Sequence, residues 1–128
     1  MSKEYEFQAL GEEYSYRQFP NELENDKNIY FHGTAEAHFD AIKQNGFLPK
    51  FGGSLDSISF AKNSSLALNY ACEARNETSP NGIIIMVDIS NIMPEVITGL
   101  DRSVIHLAAQ FQPKIIGYCV IPKTYIFK

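Results

Sequence analysis

The sequence predicts an α+β fold, in which two or more helices pack against mixed or predominantly antiparallel strands. In its first part, short β-branched or aromatic runs alternate with amphipathic helical patterns. Three further apolar runs follow, at residues 83–89, 104–107 and 115–121, and the late ones are too close together for the crossover helices of a parallel sheet. The 128 residues are the size of one domain, and the 45% hydrophobic content is enough for a core.

The acidic charge is concentrated at the start of the chain. Residues 1–28 contain seven acidic and three basic side chains, and residues 29–128 contain eight of each, so the net charge of −4 belongs to the first segment. Aromatic and polar residues alternate near residues 4–7 and 14–17, which predicts short half-buried strands before a polar linker at residues 21–28. We expect this acidic segment to pack on the body formed by residues 29–128, where it could either regulate access to the cleft or meet a basic protein partner.

The body begins with a predicted strand at residues 29–31 that leads into His32-Gly33-Thr34. Thr34 is the predicted N-cap of a helix whose apolar face includes Phe39, and Gly46 is expected to end that helix in the left-handed conformation.

A second strand and helix follow. The strand is predicted at residues 58–61, and Asn63 is the predicted N-cap of a helix with apolar residues at three- and four-residue spacings. Residues 78–82 are typical of a turn, and the run at 83–89 is typical of a fully buried strand. Pro122 is expected to close the last strand.

Composition argues against several classes of function. There is no basic cluster for a nucleic-acid backbone, no apolar run near the roughly 20 residues of a membrane span, and no signal peptide at the N-terminus. We therefore expect a soluble, cytoplasmic protein with no membrane partner. Cys72 and Cys119 form no zinc motif with the three histidines, so we expect no metal and interpret both as reduced thiols, although a disulfide between them stays open.

Five segments of the body carry a resemblance to a known family. They are Tyr30-Phe31-His32-Gly33-Thr34, residues 41–47, Ile58-Ser59-Phe60-Ala61, Ala67-Leu68-Asn69-Tyr70-Ala71, and the strand at 83–89. Together they resemble the NAD-binding half of the ADP-ribosyltransferase fold, in the branch of diphtheria toxin and the poly(ADP-ribose) polymerases. The likeness covers roughly residues 29–90, with a weaker echo at 103–121. It implies split mixed or antiparallel sheets, with NAD as the substrate.

The resemblance also implies roles for particular residues. The main chain of Gly33 would hold the nicotinamide carboxamide, since a glycine lets a ligand approach closely. His32 would bond the ribose on the adenosine side, and Tyr70 would stack on the nicotinamide ring. Thr34 would bond nearby. Ser59 and Phe60, in the second strand, complete the predicted NAD-binding set.

The sequence departs from the family at its catalytic positions. Ser59 replaces the first of two family tyrosines, which removes one face of the nicotinamide sandwich. The catalytic glutamate falls on Arg102 or Ser103, and neither side chain can supply the negative charge that stabilises the developing oxocarbenium ion. Asp101 and Glu95 are the two carboxylates that could replace it.

Three functions follow as hypotheses. The first is a compact mono-ADP-ribosyltransferase, such as a toxin or effector, that cleaves NAD and modifies a macromolecular acceptor (protein, RNA or DNA). The second is a catalytically degraded module that binds NAD, ADP-ribose or a protein partner. The third is an α+β adaptor whose resemblance is accidental.

Overall fold

The arrangement of strands and helices was obtained from a computed structural model that describes residues 3–7, 18–47, 57–97, 104–108 and 110–125. Within these ranges the chain has six strands and three α-helices, which confirms the α+β class. The strands are β1 (Lys3–Glu4), β2 (Ile29–Ala35), β3 (Ser57–Ala61), β4 (Gly82–Asp88), β5 (Val104–Ala108) and β6 (Lys114–Ile121), and the helices are α1 (Asn21–Glu24), α2 (Phe39–Asn45) and α3 (Ser64–Ala74). None of the helices in these ranges is long and apolar enough to cross a membrane.

The described strands form one sheet in the order β1-β6-β4-β2-β3-β5. The β1–β6 pair is parallel and the others are antiparallel, so the sheet is mixed. The prediction of separate split sheets is therefore corrected for this part of the chain. The join between β2 and β3 is narrow, because these strands share the single pair Phe31–Ala61, whereas β2 is paired with β4 along all seven of its residues.

Two buried clusters lie on the two faces of the sheet. The first lies under α3, where Leu68 and Ala71 contact a cluster that includes Phe31 and Ile84. The second lies on the opposite face and brings residues of β3 and β5 together with those of β4 and with Phe39 and Phe47. The strict alternation of these buried side chains along β2 and β4 fixes which face each residue occupies.

The region after β2 differs from the sequence prediction. Thr34 is a residue of β2 and not a helix N-cap, because β4 pairs with β2 as far as Ala35. A 3-10 turn, Glu36–His38, comes next, and α2 begins at Phe39. α2 ends before Gly46, as predicted, and this glycine has a positive φ of 82°, but its ψ of 176° differs from that of the predicted left-handed conformation.

The start of α3 confirms the predicted cap. The Asn63 side chain accepts a hydrogen bond from the main-chain nitrogen of Leu66 at 2.9 Å, and the helix runs for 11 residues from Ser64. Such a cap satisfies one of the donors that a helix N-terminus leaves without an intrahelical partner.

Several described residues of the acidic N-terminal segment contact the body. β1 pairs with β6, and the buried Phe19 ring stacks on Phe31 at 5.2 Å between centroids. The short helix α1 occupies part of the predicted linker at 21–28, which corrects that prediction. The sequence predicts two short strands in this segment. The one near residues 4–7 overlaps β1 (Lys3–Glu4), and the one near residues 14–17 lies outside the described residues.

One acid of this segment is part of the core. Glu24 in α1 is only 3% exposed, and its carboxylate accepts hydrogen bonds from the main-chain nitrogens of Phe19 and Ser64 at 3.1 and 3.3 Å. The hydroxyl of Ser64 also donates to it. Since Ser64 is the first residue of α3, Glu24 anchors the N-terminal segment to the start of that helix.

Candidate functional site

His32 lies in the middle of β2, next to the narrow join with β3. Its Nδ1 is 2.9 Å from the main-chain oxygen of Ser59 in β3. A carbonyl oxygen only accepts, so Nδ1 donates this hydrogen bond and the neutral ring carries its proton there. Nε2 therefore keeps its lone pair and can accept a hydrogen bond from a hydroxyl group.

The surroundings of His32 favour its neutral form. Burial lowers its pKa below the ordinary value of 6.5. The hydrogen bond to Ser59 raises the pKa, the charge of His38 lowers it, and burial has the largest effect. The ring at pH 7 is consequently an uncharged hydrogen-bond acceptor at Nε2 rather than a cation.

Two aromatic rings hold the His32 ring in place. Its centroid is 5.1 Å from that of Phe47, edge to face, and 5.5 Å from that of Phe60. Gln112 fixes Phe47 in turn: the Phe47 nitrogen donates to Gln112 Oε1 at 2.8 Å, and Gln112 Nε2 donates to the Phe47 oxygen at 2.9 Å. Phe60 is buried, so in the structure it orients His32 from within the core.

Gly33 lies directly beneath α3. A Cβ atom at this position would be 1.9 Å from the main-chain oxygen of Ala67 and 2.8 Å from the main-chain nitrogen of Ala71. From the sequence, we expect a glycine here because a ligand approaches the main chain closely. That reason is corrected, because the helix occupies the space in which the side chain would lie. A contact between the Gly33 main chain and nicotinamide stays a prediction.

Tyr70 belongs to the turn of α3 that crosses Gly33, and 42% of its surface is exposed. An exposed aromatic ring on the helix that packs over Gly33 can stack on a planar ligand. Side chains alternate along β2, so Gly33 faces α3 while His32 faces Phe47 on the other side of the sheet. The structure thus places His32 and Tyr70 near the same section of β2 but on its opposite faces.

Ser59 and His106 form a second polar contact at the join. They are directly opposite each other in the pairing of β3 with β5, and Ser59 Oγ is 2.9 Å from His106 Nδ1. Ser59 is exposed, whereas Ile58 and Phe60 on either side of it are buried. Sequence alternation could have placed both residues outside the core, but the register that pairs them comes only from the structure.

Thr34, a predicted NAD-binding residue, lies two positions beyond His32 in β2. Its Oγ1 is hydrogen bonded to Nδ1 of His38 at 3.1 Å. This bond joins the end of β2 to the 3-10 turn that precedes α2. Because alternate residues share a face, Thr34 lies on the same side of the sheet as His32.

Of the two predicted carboxylates, the structure describes Glu95 but not Asp101. Glu95 is exposed in the 3-10 turn Pro94–Val96, on the connection between β4 and β5. Asp101, together with Arg102 and Ser103, lies outside the described residues, although β5 begins shortly afterwards at Val104. The partners of His32 and Ser59 within the described part of the chain are a carbonyl and an imidazole, and no carboxylate is bonded to either.

The described residues give little support for a cysteine nucleophile or a metal site. Cys72 and Cys119 are free thiols, and burial raises the pKa of Cys119 to about 12, which disfavours the reactive thiolate. Within the ranges given above, no group of three or more His, Cys, Asp or Glu side chains is arranged to hold a metal ion.

Two surface depressions lie elsewhere. One of about 330 Å³ is lined by Glu36, Asp40 and Thr78, and one of about 340 Å³ is lined by Asn91, Met93 and Phe111, among others. Gln112, whose side chain bonds the main chain of Phe47, lines the second depression, whereas His32, Ser59, Tyr70 and His106 line neither.

Comparison with known proteins adds no assignment: the chain matches no family model, and its sequence matches no curated protein.

Proposed function

We propose that this chain is a compact mono-ADP-ribosyltransferase, which cleaves NAD at the nicotinamide glycosidic bond and transfers ADP-ribose to a macromolecular acceptor. The single observation that carries the proposal is the state of His32. Its Nδ1 donates to the Ser59 oxygen, so Nε2 is left as a fixed, uncharged acceptor beside the join of β2 and β3. A ribose hydroxyl is the kind of donor that such a nitrogen binds.

The rest of the site is consistent with a dinucleotide substrate. Tyr70 offers an exposed ring for the nicotinamide, on the side of β2 opposite to His32. To contact both Tyr70 and His32, NAD would have to cross the sheet where β2 and β3 meet. These two strands share a single residue pair, which makes this the weakest connection in the described sheet. The resemblance of residues 29–90 to the ADP-ribosyltransferase fold supports the same substrate.

Bond cleavage requires a negative charge near the reacting ribose. As the bond between C1 of that ribose and the nicotinamide nitrogen breaks, positive charge develops on the ribose, and a carboxylate stabilises it. We assign this role to Asp101, because it precedes β5, the strand that carries His106, by only a few residues. Glu95 is the second choice, since it is exposed on the connection between β4 and β5.

The experiment measures NAD binding by calorimetry and nicotinamide release by chromatography on the same preparations. We expect His32→Gln to weaken NAD binding by about tenfold, the value of one hydrogen bond to a fixed acceptor. Asp101→Asn should abolish release while leaving binding largely intact. Glu22→Gln, which changes an exposed acid in α1, is the control and should behave as wild type. Thermal unfolding of each variant excludes misfolding.

A second function is favoured by one observation. Ser59, at the position where the family has an aromatic ring, is bonded to His106, and no described carboxylate is bonded to Ser59 or His32. A module that binds NAD or ADP-ribose without cleaving it would fit this arrangement. It predicts binding that depends on His32 with no release of nicotinamide from any variant. Absence of both binding and release in folded wild-type protein would contradict both functions.

A further inference from the structure

The contact between Ser59 and His106 is built into the sheet. The two residues are partners in the antiparallel pairing of β3 with β5, and directly opposite side chains on one face lie close together. Ser59 Oγ is 2.9 Å from His106 Nδ1. The buried neighbours Ile105 and Leu107 hold His106 in β5 in the same way that Ile58 and Phe60 hold Ser59 in β3.

The contact also lies on the side of the sheet that carries Tyr70. Ala61 belongs to the buried cluster under α3, and Ser59, two residues earlier in β3, shares its face. Its hydroxyl is therefore on the α3 side of the join, while its main-chain oxygen is bonded to His32. Ser59 therefore bonds His32 through its main-chain oxygen and His106 through its hydroxyl.

This contact can provide an activated alcohol. When the Ser59 hydroxyl donates to Nδ1, the neutral His106 ring carries its proton on Nε2 and Nδ1 is the base. A serine hydroxyl is a weak nucleophile by itself, and a histidine within hydrogen-bond distance makes it reactive by taking its proton. Exposure of Ser59 leaves its oxygen accessible to an electrophilic carbon.

We propose that Ser59 is an acceptor of ADP-ribose, and that His106 is the base that activates it. The inference rests on the proposed function, because it takes NAD as the donor. Ser59 Oγ forms a bond with C1 of the nicotinamide ribose. The bond between that carbon and nitrogen breaks, and its electron pair leaves with neutral nicotinamide. The hydroxyl proton passes to His106 Nδ1 and then to water, so one proton is released for each NAD consumed.

This assignment predicts a particular stoichiometry. Without another acceptor, each chain can be modified at Ser59 only once, so a first phase should release one nicotinamide per chain. A purely structural Ser59–His106 contact, which would only stabilise the pairing of β3 with β5, predicts no covalent product.

The experiment incubates the full chain with NAD and follows intact mass, peptide mass and nicotinamide release together. We expect one ADP-ribosyl group on Ser59 of the wild type and none at this site in Ser59→Ala. His106→Ala should slow the modification by about 100-fold, the usual contribution of a general base, and added imidazole should restore part of the rate. Ser90→Ala, at an exposed turn, is the matched control and should be modified as wild type. Thermal unfolding of the His106 variant shows whether the protein is still folded.

The possible outcomes distinguish the roles of Ser59 and His106 from the transferase function. Modification of Ser59 that requires His106 and recovers with imidazole supports the inference. Nicotinamide release with no ADP-ribose on Ser59 overturns it and leaves the proposed function standing. Modification of Ser59 at the same rate in His106→Ala overturns the role of His106. No release from folded wild-type protein overturns the inference together with the transferase function.

Discussion

Replacing Gly33 with alanine tests the packing of α3 on β2, which positions Tyr70 beside the strand that carries His32. The added Cβ atom would lie 1.9 Å from the main-chain oxygen of Ala67 and 2.8 Å from the nitrogen of Ala71. Both atoms belong to the main chain of α3, so neither can be moved by rotating a side chain. The variant therefore forces the helix and the strand apart.

The size of the effect follows from these distances. A carbon atom and a main-chain oxygen do not normally approach closer than about 3 Å, so the helix has to move by roughly 1 Å at Ala67. Ala67, Leu68 and Ala71 are fully buried, and this movement loosens all three. Overpacking usually costs about 1–3 kcal/mol. Because the clash is with main chain, we expect the free energy of unfolding to fall by about 3 kcal/mol.

Urea unfolding followed by circular dichroism measures this loss. Gly117→Ala is the matched control. Its Cβ would meet the tip of the Met86 side chain at 2.8 Å and the Tyr5 ring at 2.9 Å, which adjust more easily than main chain, and its main-chain contact, with the Lys3 oxygen, is at 3.1 Å rather than 1.9 Å. We expect about 1 kcal/mol for the control. If Gly33→Ala unfolds within about 0.5 kcal/mol of wild type, the reasoning from helix packing is refuted.

Three further predictions concern buried polar groups. Glu24→Ala should lower the free energy of unfolding by about 2–4 kcal/mol, because the buried donors of Phe19 and Ser64 lose their acceptor. In the same urea assay, Glu22→Ala, which removes an exposed acid, should change the free energy of unfolding by less than about 0.5 kcal/mol. Burial lowers the pKa of His32, so the folded chain binds its proton more weakly than the unfolded chain. The stability that His32 contributes should fall as the pH drops from 6.5 towards the lowered folded pKa; an NMR titration of His32 that gives 6.5 or higher contradicts this. Cys119 is buried, with its pKa raised to about 12, so it should resist iodoacetamide at pH 8 until urea unfolds the chain; prompt alkylation of Cys119 would contradict its burial.

The elements of the body could be predicted because their signals lie within a few residues of one another. Asn63 caps α3 through a bond to Leu66, three positions away, and Gly46 ends α2 because glycine adopts a positive φ without strain. Thr34 shows the limit of such signals. Its hydroxyl suits an N-cap, but pairing with β4 extends β2 through this position, and long-range pairing outweighs the local preference.

The candidate site could be predicted only in part. The position of His32 before a glycine was visible in the sequence, but the tautomer depends on the Ser59 oxygen, 27 residues away. Gln112 and Phe47 are 65 residues apart, and no local sequence pattern indicates that the side chain of Gln112 hydrogen bonds to the main chain of Phe47. The predicted reason for a glycine at position 33, the close approach of a ligand, was wrong. A sequence does not show which element packs over a strand, and α3 packs over β2 at this residue.

The central claim is that Nε2 of His32 accepts a hydrogen bond from a ribose hydroxyl of NAD. The most direct measurement is the nitrogen NMR spectrum of the histidine rings in labelled protein at pH 7, recorded before and after NAD is added. We expect a neutral His32 ring with its proton on Nδ1 throughout, and a shift of the Nε2 signal that saturates as NAD binds. A ring with its proton on Nε2, or an Nε2 signal that does not move with excess NAD, would contradict it.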